Sequence, residues 1–534
     1  MAKPGIIKTA LNALIFPKSR FQNWIFLGLL LLMSFAYSYH KVVMYKPQSM
    51  HSWRQADCTS IAHGYIKENN LLEPQIHNKI SDGLTTGKTA GEFPGLYYVV
   101  GKLWKIFGHH EWIYRLLVLC LFLGSVFSLF RTLSRQLDQF WAYILSLTLF
   151  TSPLVVFYAN NFLSNVPALS FAVFGLALYF EYRKKATSRK WLILCLLFMI
   201  SGLLKVTGLI GFIGICGAEL VMVLTKRREV NWLPFFGGGL LALFFVFLWY
   251  SYAGYYNGLH GGKYTFNDFW PIWQMSVEDI IAGCRFFGRI TFFQLLSPLG
   301  YLLVFFFGGY FLLRRRSISI DLGLVTIITG IGIALYILCW FNALEYHDYY
   351  FLNAMIFPLI LSISVMYGMK SHDLFQKYWL RISALVILFG GVIYCHNNMR
   401  MRYADQLGVY NMLAWKITTK DERIYWNWVS HDNYQDAFME IEPYLEEIGV
   451  EKDALVVSFP DPSFNISLYL MNRKGWTAYG GNMINSKSLQ QKIDHGAKYI
   501  LTAENSTLDL SAVQHLIGEE IGRFRNVKIY RIEQ

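Results

Sequence analysis

Seven consecutive residues, His51, Ser52, Trp53, Arg54, Gln55, Ala56 and Asp57, set a guanidinium and a carboxylate three positions apart. On a helix Arg54 would stand one turn before Asp57 and keep its carboxylate ionised. An ionised carboxylate can take a proton from an attacking hydroxyl, which is general-base chemistry. The alternative is an exposed acid on a solvated loop. Glu92 follows in Gly91, Glu92, Phe93 and Pro94. Proline stops any helix from running through this segment, so the Glu92 carboxylate is left at the mouth of the next one. There it reads either as an acid favoured by the helix dipole or as a site residue.

Lys205 stands in or beside an apolar run, within Gly202, Leu203, Leu204, Lys205, Val206 and Thr207. An ionisable group at that depth either snorkels to the interface or serves function. A third cluster, Asn342, Glu345, Tyr346, His347, Asp348, Tyr349 and Tyr350, closes another apolar run. Tyrosines alone there would be an aromatic belt. His260, flanked by Asn257, Gly258, Leu259, Gly261 and Gly262, is either a solvated loop histidine or a metal ligand together with Glu92. Residues 459–465 follow a strand candidate and read as a strand-to-helix turn capped by Ser463, or as a recognition loop beyond a strand end. The sequence has no phosphate-binding glycine loop, Cys-pair metal motif or nucleophile elbow.

What must position these residues is a hydrophobic framework. Of 534 residues, 54% are hydrophobic, 17% aromatic and only 16% charged, and mean hydropathy is +0.33. A soluble domain carries about 25% charged residues, so the expected fold class is an all-α polytopic membrane bundle. Apolar runs fall at 24–39, 112–130, 140–158, 166–180, 191–205, 208–225, 233–254, 295–313, 322–341, 349–368 and 379–396. That pattern predicts eleven transmembrane helices, the first a retained anchor because it lacks a small-residue cleavage site. Basic clusters recur after alternate runs, as in Arg183, Lys184, Lys185, Arg189 and Lys190, or Arg314, Arg315 and Arg316. Short positive loops stay in the cytoplasm, so these and the N-terminus are expected inside, with 43–111 and everything after 396 outside. The inward segments then hold twenty Lys and Arg against five acids, a charge of +15, and the remainder twenty-eight against thirty, or −2. The formal +13 of the chain is therefore a topology signal, and a nucleic-acid partner is not expected.

The expected division is 1–396 as the membrane module, with its outward loop 43–111, and 397–534 as a soluble extracytoplasmic α/β domain. Within the loop, residues 95–107 carry Leu96, Val100, Leu103, Trp104 and Phe107 at helical spacing, which predicts a surface helix too short to span. In the tail, helices are predicted at 435–448 and 486–495, with strands at 454–459, 476–479, 498–502 and 527–532. Seven Cys are too few and scattered for a disulfide framework, and none follows Asn397, so an oxidising compartment would not affect the tail.

The order of these features resembles the GT-C fold of polyprenyl-phosphate-sugar-dependent glycosyltransferases, in the branch of protein O-mannosyltransferases and lipid A aminoarabinose transferases. The resemblance covers about residues 20–396. It rests on residues 51–57, 92–96, the Arg115-Leu116 opening of the second run, the turn 158–168, and residues 204–208 and 347–358. It implies that Asp57 is the catalytic carboxylate, that Lys205 contacts a donor phosphate, and that Glu92 lines the site and holds a divalent metal. Arg54, His51, Trp53, Gln55, His347 and Tyr349 are the further substrate-binding candidates. The chain departs from the pattern at Asn165, where many relatives place an Asp, and at Pro94-Gly95, where they have two prolines.

The implied reaction moves one sugar from a polyprenyl phosphate to a hydroxyl of a lipid, glycan or protein acceptor. Its setting would be the outer face of a bacterial plasma membrane. Such a donor needs cations against the charge developing on its phosphate, which Lys205, Arg54 and His347 could supply. Besides a membrane-anchored binding or sensor protein, which would explain the tail domain but not eleven spans or Lys205, two other readings stay open. One is a polymerase or ligase of the same fold using a lipid-linked oligosaccharide. The other is a transporter, which should show two similar halves with broken helices; no such symmetry is visible in the sequence.

Overall fold

A computed structural model describes residues 20–262, 269–403, 435–479, 485–503 and 510–532. Lys3, Lys8 and Lys18 of the expected inward N-terminus lie outside the described residues. The chain forms two compact units. The described residues of the first fall within Met1–Val43, Leu116–Leu248 and Phe269–Lys420, and those of the second within Met44–Arg115, Trp249–Asp268 and Asp421–Gln534. This division differs from a boundary at 396/397, because the loop after the first apolar run groups with the tail.

The first unit is helical. Six helices among the described residues are long and apolar enough to cross a membrane: Glu111–Ser134, Val206–Leu224, Trp232–His260, Ile320–Cys339, Asp348–Met369 and Tyr378–Arg402. Val277–Leu295 and Pro298–Leu313, bent by 94°, make a seventh if taken together. The chain is a multi-pass membrane protein, but eleven spans are not shown. Of the other predicted runs, 166–180 lies in the unbroken 20-residue helix Asn165–Lys184, which ends in Glu181, Arg183 and Lys184, and the remaining three are helical yet short or broken, against the ~20 residues a span needs. Gln22–Ala36 has 15 residues and Ser188–Leu204 has 17. The run 140–158 divides into Gln139–Leu147, a 3-10 turn at Leu149–Thr151 and Pro153–Ala159. Pro153 has no N–H to continue the first helix, so it begins the second, and the Ser152 hydroxyl accepts from Val155 N–H at 3.3 Å.

Apolar side chains cover the outside of this unit. Leu313 is 85% exposed and Leu233 82%, which water would not tolerate across a whole surface but lipid does. Charges inside are paired. Arg183 reaches Asp321 at 2.6 Å, Arg228 reaches Glu219 at 2.7 Å and Asp321 at 3.3 Å, and Arg381 pairs with Asp138.

The second unit contains a five-stranded sheet in the order β2-β1-β3-β5-β4, with β1 Leu455–Phe459, β2 Gly475–Trp476, β3 Ala497–Ala503, β4 Ile517–Phe524 and β5 Val527–Ile532. β1 runs parallel to β2 and β3, and β5 antiparallel to β3 and β4. Helices Asp436–Glu447 and Ser486–Asp494 fall where predicted, whereas β4 and the short helix Ile466–Leu470 were not predicted. One core joins Ile441, Leu445, Val456, Leu468, Leu501 and Ile529, and Ala56 of the loop after the first apolar run is part of it. The loop also extends the sheet edge: Lys79 N–H donates to Gly475 O at 2.7 Å, and Gly475 N–H to His77 O at 3.2 Å. Gly475 is obligatory there, since at φ +156° a Cβ would meet Val456 O at 1.8 Å.

Candidate active site

In the second unit, the helix Ser52–Gly64 carries Asp57 and is entered through His51 at φ +54°. Gln55 fixes that entry, its amide nitrogen donating to the carbonyls of Gln48 at 2.7 Å and Met50 at 2.8 Å. Its donors hold backbone rather than point at a substrate. Trp53 is half exposed on the other face. Asp57 is buried, and the Nδ2 of Asn465 donates to its Oδ1 at 2.9 Å. Asn465 Oδ1 accepts from Asn78 N–H at 3.1 Å, which fixes the amide so that its NH2 faces the carboxylate.

The turn bearing Asn465 is rigid. Ser463 Oγ accepts from Ile466 N–H at 2.9 Å, although the N-cap position of the helix Ile466–Leu470 is Asn465 and not the predicted Ser463. The Asp461 carboxylate accepts from Ser463 N–H at 2.8 Å and from Ser467 N–H at 2.9 Å. Burial raises the Asp461 carboxyl, and these hydrogen bonds oppose the rise.

Arg54 has a long-range partner: its guanidinium meets Glu92 Oε2 at 2.5 Å, with both side chains buried. The Glu92 segment is clamped. Asn257 exchanges hydrogen bonds with Ala90 N–H at 2.8 Å and Ala90 O at 2.7 Å, and Trp249 Nε1 donates to Gly91 O at 3.0 Å. The helix Gly95–Phe107 begins just beyond Pro94 as expected. Leu96, Val100 and Trp104 are buried, while Phe107, assigned to the same face, is exposed with Ile106. Burial pushes the Cys58 thiol up to about 11, so it is no nucleophile at neutral pH.

His260 Nδ1 pairs with Asp82 Oδ1 at 2.8 Å. Hydrogen bonds from Thr86 and His260 hold the Asp82 carboxyl below its ordinary value. Glu92 and His260 are thus each engaged by another side chain, and among the described residues no group of three or more His, Cys, Asp or Glu is placed to hold a metal ion.

In the first unit, Lys205 ends the helix Ser188–Leu204 in an extended conformation, and its Nζ stands over the Tyr350 ring, 5.3 Å from the centroid. The following Gly208 lies so close to Ser201 that a Cβ would meet its Oγ at 2.2 Å. The structure brings the late aromatic cluster to this turn. His347 and Tyr349 ring centroids are 5.4 Å apart, and Tyr349 and Tyr350 4.8 Å. Asn353 Nδ2 donates to Thr207 Oγ1 at 3.0 Å, and Asn165 Nδ2 to Tyr349 O at 3.1 Å. Asn165 therefore braces backbone. The side chains of Glu345 and Tyr346 are outside the described set.

Two residues were missed from the sequence. Asn465 carried no signal beyond lying in a noted turn. Arg402, just past the last apolar run, reaches Asp348 Oδ2 at 3.5 Å, while Tyr158 donates to Asp348 Oδ1 at 2.7 Å.

The sequence matches no established family profile and no curated protein. Solved structures do match. ArnT from Cupriavidus metallidurans in the apo state is 12% identical, covering 96% of this chain and 98% of that one at a TM-score of 0.57. The same protein bound to undecaprenyl phosphate is 11% identical over the same shares, at 0.56. The Archaeoglobus fulgidus oligosaccharyltransferase in its apo form is 12% identical, over 97% and 75%, at 0.52; its complex with Zn and sulfate is also similar, at 0.50. The chain has the GT-C fold. Likeness over almost the whole chain extends that fold past the 20–396 of the sequence resemblance to the tail. At these identities it is the GT-C fold that is shared, and residue roles rest on the geometry above.

Proposed function

We propose that the chain is an integral-membrane glycosyltransferase that moves a sugar from a polyprenyl phosphate to an acceptor hydroxyl on the outer face of a bacterial plasma membrane. The observation that carries this reading is the buried Asp57 carboxylate, oriented by Asn465, in a GT-C chain. The eleven-span topology with a cytoplasmic N-terminus is part of the proposal, supported by the charge alternation. So is the division into a membrane module and an extracytoplasmic tail.

In the proposed reaction the acceptor oxygen attacks the anomeric carbon as its proton passes to Asp57. The bond from that carbon to the phosphate oxygen breaks, and the lipid phosphate leaves with the electron pair. Direct displacement inverts the anomeric centre. Lys205 is assigned to the donor phosphate, with His347 and Tyr349 beside it at the same turn. Arg54 and Glu92, neutralising each other, are assigned to substrate positioning, with His51 and Trp53 on the same segment. A divalent ion finds neither Glu92 nor His260 uncommitted, and no step is routed through one.

The test is transfer by purified protein in proteoliposomes, offered radiolabelled polyprenyl-phosphate sugars one at a time. Wild-type protein should consume one of them and folded Asp57→Asn should not. Full transfer by Asp57→Asn would sink the assignment of the base, and consumption of none would sink the activity.

A further inference from the structure

The turn joining helices Pro298–Leu313 and Ile320–Cys339 presents three exposed arginines, Arg314, Arg315 and Arg316, at a cavity of about 1040 Å³. Leu312, Leu313 and His372 also line it. Three largely buried arginines of this unit are engaged by acids: Arg183 by Asp321, Arg228 by Glu219 and Asp321, Arg381 by Asp138. Among the described residues, the side chains of Arg314, Arg315 and Arg316 have no ion pair. Asp321, the acid closest in sequence, already serves two guanidiniums, and the exposed Asp373 does not line the cavity.

The turn is a built feature. Ser317 N–H donates to Arg314 O at 2.9 Å, Ile318 N–H to Arg315 O at 3.1 Å, and Ser317 Oγ to Arg314 O at 2.7 Å. Ile318 is buried, and Gly368 lies so near that a Cβ there would meet Ile318 Cγ1 at 2.8 Å and Ser317 O at 3.1 Å. With its apolar residue turned inward and its backbone held, the turn directs the guanidiniums to the outside. Leu312 and Leu313, 79% and 85% exposed, directly precede them. Leucines so exposed at the end of an apolar helix belong in acyl chains, which sets the adjoining arginines at the level of lipid phosphates.

We propose that this cavity binds the phosphate headgroup of an anionic phospholipid, with the acyl chains against Leu312 and Leu313. Guanidinium groups suit phosphate oxygens through paired hydrogen bonds, and the apolar wall distinguishes a lipid from a free anion. The proposal stands apart from the transfer reaction, so the failure of either leaves the other intact.

The test uses full-length protein in neutral detergent, titrated separately with phosphatidylglycerol, phosphatidylcholine and inorganic phosphate, with melting temperature as the readout. Wild-type protein should be stabilised by phosphatidylglycerol well beyond phosphatidylcholine, and not by phosphate at equal concentration. The half-saturating phosphatidylglycerol concentration should rise at least tenfold in R314Q/R315Q/R316Q and stay within twofold in the charge-matched control R189Q/K226Q/R227Q. An unchanged melting temperature in phosphatidylcholine reports that the variants fold. The single R315Q should weaken binding two- to threefold and reads the same cavity with less disturbance. Equal stabilisation by the two lipids, equal loss in the control, or a full effect of phosphate alone would each overturn the proposal.

Discussion

Asn465→Ala separates a positioned base from a merely buried acid. The lost interaction is one 2.9 Å hydrogen bond from a neutral amide to Asp57. A bond to a charged group contributes about 1.5–3 kcal/mol. The amide donates to the ionised form, so its removal favours protonation and raises the Asp57 pKa. At 1.36 kcal/mol per unit, the rise is about one to two units. Since the proposed base must be ionised to act, the acidic limb of the rate profile should move to higher pH by that amount. Along the acidic limb kcat should fall and on the plateau above it stay near wild type, while KM for the lipid-phosphate donor, assigned to Lys205, should stay within about twofold. The assay is initial transfer rate at saturating donor from pH 5 to 9. An acidic limb that does not move, in a variant that melts like wild type, would refute the claim that Asn465 tunes the carboxylate. A uniform fall in rate at every pH would mean that Asn465 acts only through the fold.

Asp57→Asn should lower kcat by ~10²- to 10⁴-fold, the usual worth of a general base, with its melting temperature retained. Lys205→Gln should raise the donor KM by about tenfold or more through loss of a charge-assisted contact, measured with acceptor in excess; an unchanged KM would remove Lys205 from the donor site. Acid should weaken the second unit. Burial, with His109, Lys474 and Lys67 nearby, pushes His63 down to about 3, and His77 and His109 are lowered as well. A lowered histidine stays neutral in the folded state while the unfolded chain binds its proton below about 6.5. Stability is therefore full above that pH and declines from there toward 3, by about 1–2 kcal/mol at pH 5 for His63 alone. Melting in detergent at pH 7 and pH 5 measures the loss, and His63→Gln should reduce the difference. Removal of divalent ions with a chelator should leave transfer within about twofold of untreated protein, and a loss restored by added metal would reopen the metal site.

What was legible in the sequence depended on how far apart the interacting residues lie. Apolar runs are local, and each became helical, because hydropathy over twenty residues reports the surrounding medium directly. Their integrity was less legible. Pro153 starts a new helix and Lys205 ends one within what reads as nearly continuous apolar sequence, so run counting exceeds the number of unbroken helices. β4 escaped notice because its burial alternates poorly and it carries two glycines, as an edge strand can. Pairings that arise only in the fold were the least legible. Spacing of three residues pointed Arg54 at Asp57 and could not point to Glu92, 38 positions on, which meets the Arg54 guanidinium because a clamped loop carries that carboxylate to it. Asn465 lies 408 positions from Asp57. No local pattern could have joined them, although both the acid and the turn stood out on their own. A carboxylate intended for proton transfer needs an orienting donor, so an isolated acid in a loop is a prompt to look for an amide elsewhere in the chain. Here that amide comes from the tail, which makes the tail part of the proposed catalytic apparatus and predicts that transfer will not survive its deletion even when the helical unit remains folded.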